Sequence, residues 1–109
     1  MMSSTDTLLG TLQLLILKTL EYAPNHGFGI TLHIQTVSNG LLRVEEGSLY
    51  PALHRLERAK LIAGEWKITE NGRRARVYKL TPAGRKRLGE NEQNWATVSA
   101  GVQKVLRFA

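Results

Sequence analysis

Residues 47–57, Gly47-Ser48-Leu49-Tyr50-Pro51-Ala52-Leu53-His54-Arg55-Leu56-Glu57, read as a short helix, and a cationic hairpin follows it at once. That pairing constrains the chain more than any other feature. Leu49, Leu53 and Leu56 recur at the spacing of a helix stripe that packs on a core, leaving Tyr50, His54, Arg55 and Arg58 on other sides. The helix is expected to start between Glu45 and Ser48 and to end near Lys60. Ser48 can cap it, which puts Pro51 in the first turn; an earlier start makes Pro51 forfeit one backbone bond. Ile62, Trp66 and Ile68 then alternate on one face of a strand, with Gly64 between them, and Val77-Tyr78-Lys79-Leu80 supply a second strand. Asn71-Gly72 is the strongest short signal for a hairpin turn, and the tip reads Glu70-Asn71-Gly72-Arg73-Arg74. A helix sized for the major groove beside a hairpin with a basic turn is the layout of a winged helix-turn-helix.

Charge placement points the same way. The 109 residues carry a formal charge of +6. Between positions 66 and 87 lie Lys67, Arg73, Arg74, Arg76, Lys79, Arg85, Lys86 and Arg87, against Glu70 alone. The rest of the chain is close to neutral, so the basicity is a patch and a polyanion is its natural partner.

Other function classes are disfavoured. With no cysteine there is no disulfide framework and no zinc-finger spacing. Three histidines show no metal-ligand pattern, His54 with Glu57 is a lone i,i+3 pair, and Ser48 lacks an evident base. Neither an enzyme nor a cofactor is expected. The apolar run 8–20 is short and broken by Gly10, Thr11, Gln13, Lys18 and Thr19, and residues 1–7 lack the positive start of a signal peptide. A cytoplasmic protein with no membrane partner is the expectation.

The remaining elements are helical. Helix 1 should span 7–22, capped by Thr5 or Asp6 and ended by Pro24. Its Leu8, Leu9, Leu12, Leu15, Ile16 and Leu20 form one arc, with Leu14 and Leu17 nearly opposite, so it is buried on two sides. One side serves the core and the other a second subunit, unless helix 1 is simply the central helix of a monomer. Helix 2 should span 27–38, with Ile30, Ile34 and Val37 inward and Ser38-Asn39-Gly40 ending it. Thr81-Pro82 caps and starts the last helix, 82–106. There Trp95, Val98, Val102 and Val105 make an a/d seam too short to stand alone. The expected class is mainly α with a small β-hairpin. A winged helix-turn-helix domain occupies 1–81, with its wing at 62–80, and a C-terminal dimerisation helix occupies 82–109. Leu9, Leu12, Ile16, Trp95, Val98, Val102, Val105 and Leu106 are the expected dimer interface.

Several motifs together resemble one family. They are Leu9-Gly10-Thr11-Leu12 with Leu15-Ile16-Leu17, His26-Gly27-Phe28-Gly29-Ile30, residues 47–53, and Asn71-Gly72-Arg73-Arg74 through Tyr78-Lys79-Leu80-Thr81-Pro82-Ala83-Gly84. The chain looks like a PadR-family transcriptional regulator of the short subgroup with a single C-terminal helix. The resemblance implies a homodimer, mostly a repressor, in which helix 1 and the last helix of both copies interlock. It also implies a small planar aromatic effector stacked at a tryptophan in the dimer pore, where Trp95 sits. Glu45-Glu46 stands where many members start helix 3 with Ser-Pro, and the chain leaves little room for a dedicated sensor domain.

On duplex DNA, Lys67, Arg73, Arg74 and Arg76, with Asn71 at the turn, are the expected backbone contacts, and amides near Gly27 can hold a phosphate. Ser48 and Tyr50 are the expected base readers, with His54 at base edges or phosphate and Arg55 on guanine or phosphate. A winged-helix protein–protein adaptor is the alternative, and its binding should be far less salt-sensitive. Double-stranded RNA fits less well, because its major groove is too narrow for the helix.

Overall fold

The computed structural model describes the backbone of residues 4–108 and the side chains of 10–108. The element order is α1 (Ser4–Tyr22), β1 (Asn25–His26), α2 (Gly27–Val37), α3 (Glu46–Arg58), β2 (Ile62–Ile68), β3 (Arg74–Leu80) and α4 (Pro82–Arg107). The expected class, mainly helical with a small antiparallel sheet, is what forms. The side chains of Leu9 and of Thr5 or Asp6, expected at the interface and the cap, lie outside the described residues.

The sheet has three strands in the order β1-β3-β2, one more than the hairpin alone. Asn25 and His26 pair with Tyr78 and Val77. Two residues are too few to carry an alternating pattern, so only the proximity of β3 makes them a strand. In the hairpin, Ile62 faces Leu80, Gly64 faces Tyr78, Trp66 faces Arg76 and Ile68 faces Arg74. The Asn71-Gly72 turn is there, inside the three-residue loop Glu70-Asn71-Gly72: Thr69 N–H donates to Arg73 O and Gly72 N–H to Thr69 O. Gly72 takes φ +75°, the left-handed position that such loops reserve for glycine.

The core gathers Ile16, Leu17 and Leu20 of α1, Ile30 and Ile34 of α2, the α3 stripe, Leu61, Ile62 and Tyr78, and Leu88 of α4. Ala52 joins Leu49, Leu53 and Leu56 on that stripe. Two expectations change here. Ile16, expected between copies, is fully buried within one protomer, as is Leu17, about 100° further round the helix. The cause is that α2, α3, β3 and α4 all pack on α1. Of the described α1 residues expected at the interface, Leu12, only half-buried, remains. Val37, expected inward, is exposed because α2 runs past the core before Ser38 ends it.

Thr81 caps α4 as its sequence announces: its hydroxyl accepts from Gly84 N–H at 3.0 Å, with Pro82 in the first turn. A β-carbon on Gly84 would lie 1.9 Å from the Leu61 carbonyl oxygen, a backbone atom that cannot step aside. Gly84→Ala is therefore expected to destabilise the domain by about 3 kcal/mol, read as a lower denaturant midpoint with unchanged slope.

Candidate nucleic-acid interface

α3 begins at Glu46, with Glu45 as its cap residue, and its side chain makes no cap bond. Ser48 and Leu49 N–H both donate to Glu45 O, at 3.0 and 2.9 Å. Ser48 is thus inside the helix rather than its cap, and Pro51 does forfeit one bond. Glu46 in the first turn complements the helix dipole, which accounts for an early start without a side-chain cap.

At about 100° per residue, the exposed surface of α3 has two flanks. Tyr50, His54, Glu57 and Arg58 face the wing across a groove of about 970 Å³. Ser48 and Arg55, both exposed, lie on the far flank and do not line that groove. The wall opposite α3 is made by Trp66, Arg73, Arg74, Ala75, Arg76 and Tyr78, and one end by His26, Gly27 and Phe28.

The start of α2 is built by its two glycines. Asn25 Oδ1 accepts from His26 N–H at 2.9 Å, and His26 Nδ1 accepts from Gly29 N–H at 3.1 Å as the helix cap. A β-carbon on Gly29 would lie 1.9 Å from Asn25 Oδ1, and one on Gly27 would lie 3.0 Å from the Tyr50 hydroxyl. Gly27 is buried at that contact. The Tyr50 hydroxyl and the exposed Phe28 ring therefore both stand beside the start of α2.

The cations of the wing divide by strand period. Arg74 and Arg76 share the groove face with Trp66, and their guanidiniums lie 4.9 and 5.6 Å from its ring centroid. Lys67 lies on the other face, where it lines a hollow of about 290 Å³ with Glu65, Val77 and Lys79. Asn71 and Arg73 are exposed around the turn. Arg76 pairs with Glu57 of α3, and that hydrogen bond holds its guanidinium above the usual arginine range. Burial pushes the neighbouring Tyr78 hydroxyl up. Beyond the wing, Arg85 approaches Glu21 at 4.0 Å and Arg87 pairs with Glu90 at 3.5 Å, so the basic segment separates into a wing group and an α4 group.

The groove thus brings together Gly27, Tyr50, His54, Arg73, Arg74 and Arg76 of the expected residues, and leaves Ser48, Arg55, Lys67 and Asn71 outside its lining. Phe28, Arg58, Trp66 and Glu57 were not assigned to DNA from sequence. Two-residue periodicity counted back from the Asn-Gly turn would have placed Trp66 beside the arginines.

On α4, Trp95, Val102, Val105 and Leu106 are exposed, at 46%, 50%, 74% and 69%, and Val98 is half-buried. Among the described residues no three His, Asp or Glu side chains cluster to hold a metal ion, and no helix is long and apolar enough to cross a membrane.

Comparison with known proteins places this geometry. The family described as transcriptional regulator PadR-like matches residues 16–90. A transcriptional regulator of Mycobacterium tuberculosis is 44% identical over 68 residues, which cover 62% of this chain and 60% of that protein. The match therefore spans less than two thirds of that relative. A transcriptional regulator from Clostridium thermocellum superposes with a TM-score of 0.81 at 27% identity, covering 95% of this chain and 97% of that one. A PadR-like transcriptional regulator from Bacillus cereus gives 0.77 at 30% identity, covering 94% and 98%.

Proposed function

The chain belongs to the PadR-like family of transcriptional regulators, whose members bind DNA and are not enzymes, and from that premise we propose that it is a homodimeric, cytoplasmic repressor reading an inverted-repeat operator. Residues 1–81 form the DNA-binding unit in this reading, and the part of α4 beyond Leu88 pairs the two copies. One observation carries it: the flank of α3 that bears Tyr50, His54 and Arg58 and the cationic wing converge on a single groove. α3 enters the major groove, with Ser48, Arg55 and His54 at base edges. Arg73 and Arg74 hold the flanking phosphates, and Tyr50 stands between base edge and backbone beside the start of α2. Two-fold symmetry sets the half-sites about 34 Å apart or a multiple of it.

The test is footprinting on the DNA upstream of the protein's own gene. A symmetric protected site is expected in the wild type, and Tyr50→Ala should tolerate base changes there that the wild type rejects. An unstructured, sequence-blind footprint overturns the reading and favours the adaptor.

Regulation by a planar aromatic effector follows from Trp95, which is half exposed on the pairing seam. Two such rings across the two-fold axis make a slot for stacking. Quenching of Trp95 fluorescence by planar cationic aromatics, in a Trp66→Phe background, is the expected signature.

A further inference from the structure

The Arg76 side chain is engaged within the protomer. Its guanidinium crosses the groove wall to the Glu57 carboxylate on α3, and both side chains are about seven-tenths shielded, at 30% and 26% exposed. Across the hairpin it passes the diagonal neighbour Gly64, where a β-carbon would sit 2.6 Å from Arg76 Nε. Trp66, its directly paired residue, flanks the guanidinium from the outer end of the strand. The same ring carries Arg74, for which no carboxylate partner is found among the described residues. A carboxylate on a surface meant for phosphate costs affinity unless it has another task.

We propose that Glu57, Arg76, Gly64 and Trp66 form a tie that fixes the angle between wing and recognition helix, with Arg76 a positioning residue for sequence recognition rather than a phosphate contact. Glu57 neutralises Arg76 and pins β3 to α3. Gly64 leaves the room in which the guanidinium lies across the strand. Trp66 then presents Arg74 at a set distance from α3, so base reading and backbone anchoring occur in one register. This inference rests on the family's DNA binding and adds to it which charges touch DNA and which do not.

The experiment uses a duplex selected by the wild-type protein from a random-sequence pool and a scrambled duplex of the same composition. Both are titrated across a salt series, and thermal melting confirms that each variant is folded. Arg76→Gln combined with Glu57→Gln, which strands no charge of the pair, should leave the salt slope unchanged while the ratio of selected to scrambled affinity falls about tenfold. Glu57→Gln should lower the same ratio but raise affinity for the scrambled duplex. Its freed guanidinium should steepen the slope by about 0.9 per bound copy. Gly64→Ala keeps every charge and displaces only the flexible end of Arg76, so it serves if either other variant fails to fold; its ratio should also fall about tenfold.

A slope flattened by about 0.9 per copy in that double variant overturns the proposal, because that is the loss of a direct phosphate contact. An unchanged ratio in the folded variants overturns it too. If the wild type itself selects no duplex, the sequence-reading function fails with it; if the wild type selects one and the variants match it, only the tie fails.

Discussion

Replacing Arg73 and Arg74 together by alanine is expected to lower affinity for every duplex by on the order of 10³-fold at 0.1 M salt and to flatten the salt dependence. The magnitude follows from counterion release. Each phosphate neutralised contributes about 0.9 to the slope of log affinity against log salt, and two contacts per copy in a dimer make about 3.6. Both residues belong to the groove wall, and neither has an acidic partner among the described residues. Sequence preference should survive, because phosphate contacts position the protein without reading bases. Titrations of selected and scrambled duplexes between 50 and 200 mM salt check both statements. A slope equal to that of the wild type would remove these two residues from the interface.

Val98→Asp with Val102→Asp is expected to separate the two copies. Wild-type protein should sediment as a dimer at micromolar concentration, and the variant as one 12.2 kDa chain. The seam from Trp95 to Leu106 is exposed or half-buried in the single protomer, so these aspartates do little harm to an isolated copy. Pressed against a second seam they would be desolvated without partners, weakening pairing by about 10³-fold or more. Affinity for a two-half-site duplex should fall by a further 10²–10⁴-fold, roughly the gain that linking two binding modules gives. The melting temperature of the protomer core, which closes around Leu88, should hardly move. A variant that still sediments as a dimer would place the pairing surface elsewhere.

What could be read from sequence was what neighbouring residues decide among themselves. The α3 stripe, the Thr81-Pro82 start of α4 and the Asn71-Gly72 turn each rest on spacing or local hydrogen bonding, and each appears where the sequence puts it. What escaped depends on residues distant along the chain. β1 exists only because β3 lies beside it. Ile16 looked like surface for a second copy because its arc could not show how many elements crowd α1. The pairing of Arg76 with Glu57 joins residues 19 apart on different elements, so counting charge along the chain scored a neutralised arginine as a free one. Lys67 is a different case. Strand alternation from Trp66 puts it on the opposite face, and pooling all wing cations obscured a pattern already present.

The two-residue β1 carries a mechanical consequence. Asn25 and His26 lie in the same hydrogen-bonded sheet as the wing, while His26 also caps α2 and Asn25 packs against its second glycine. With Gly27 against Tyr50 and Arg76 paired to Glu57, the wing, the start of α2 and α3 are braced into one block, which resists being loosened piecemeal. With two copies paired on a duplex as proposed, a signal that detaches them would have to change how far apart, or at what angle, the two blocks are held.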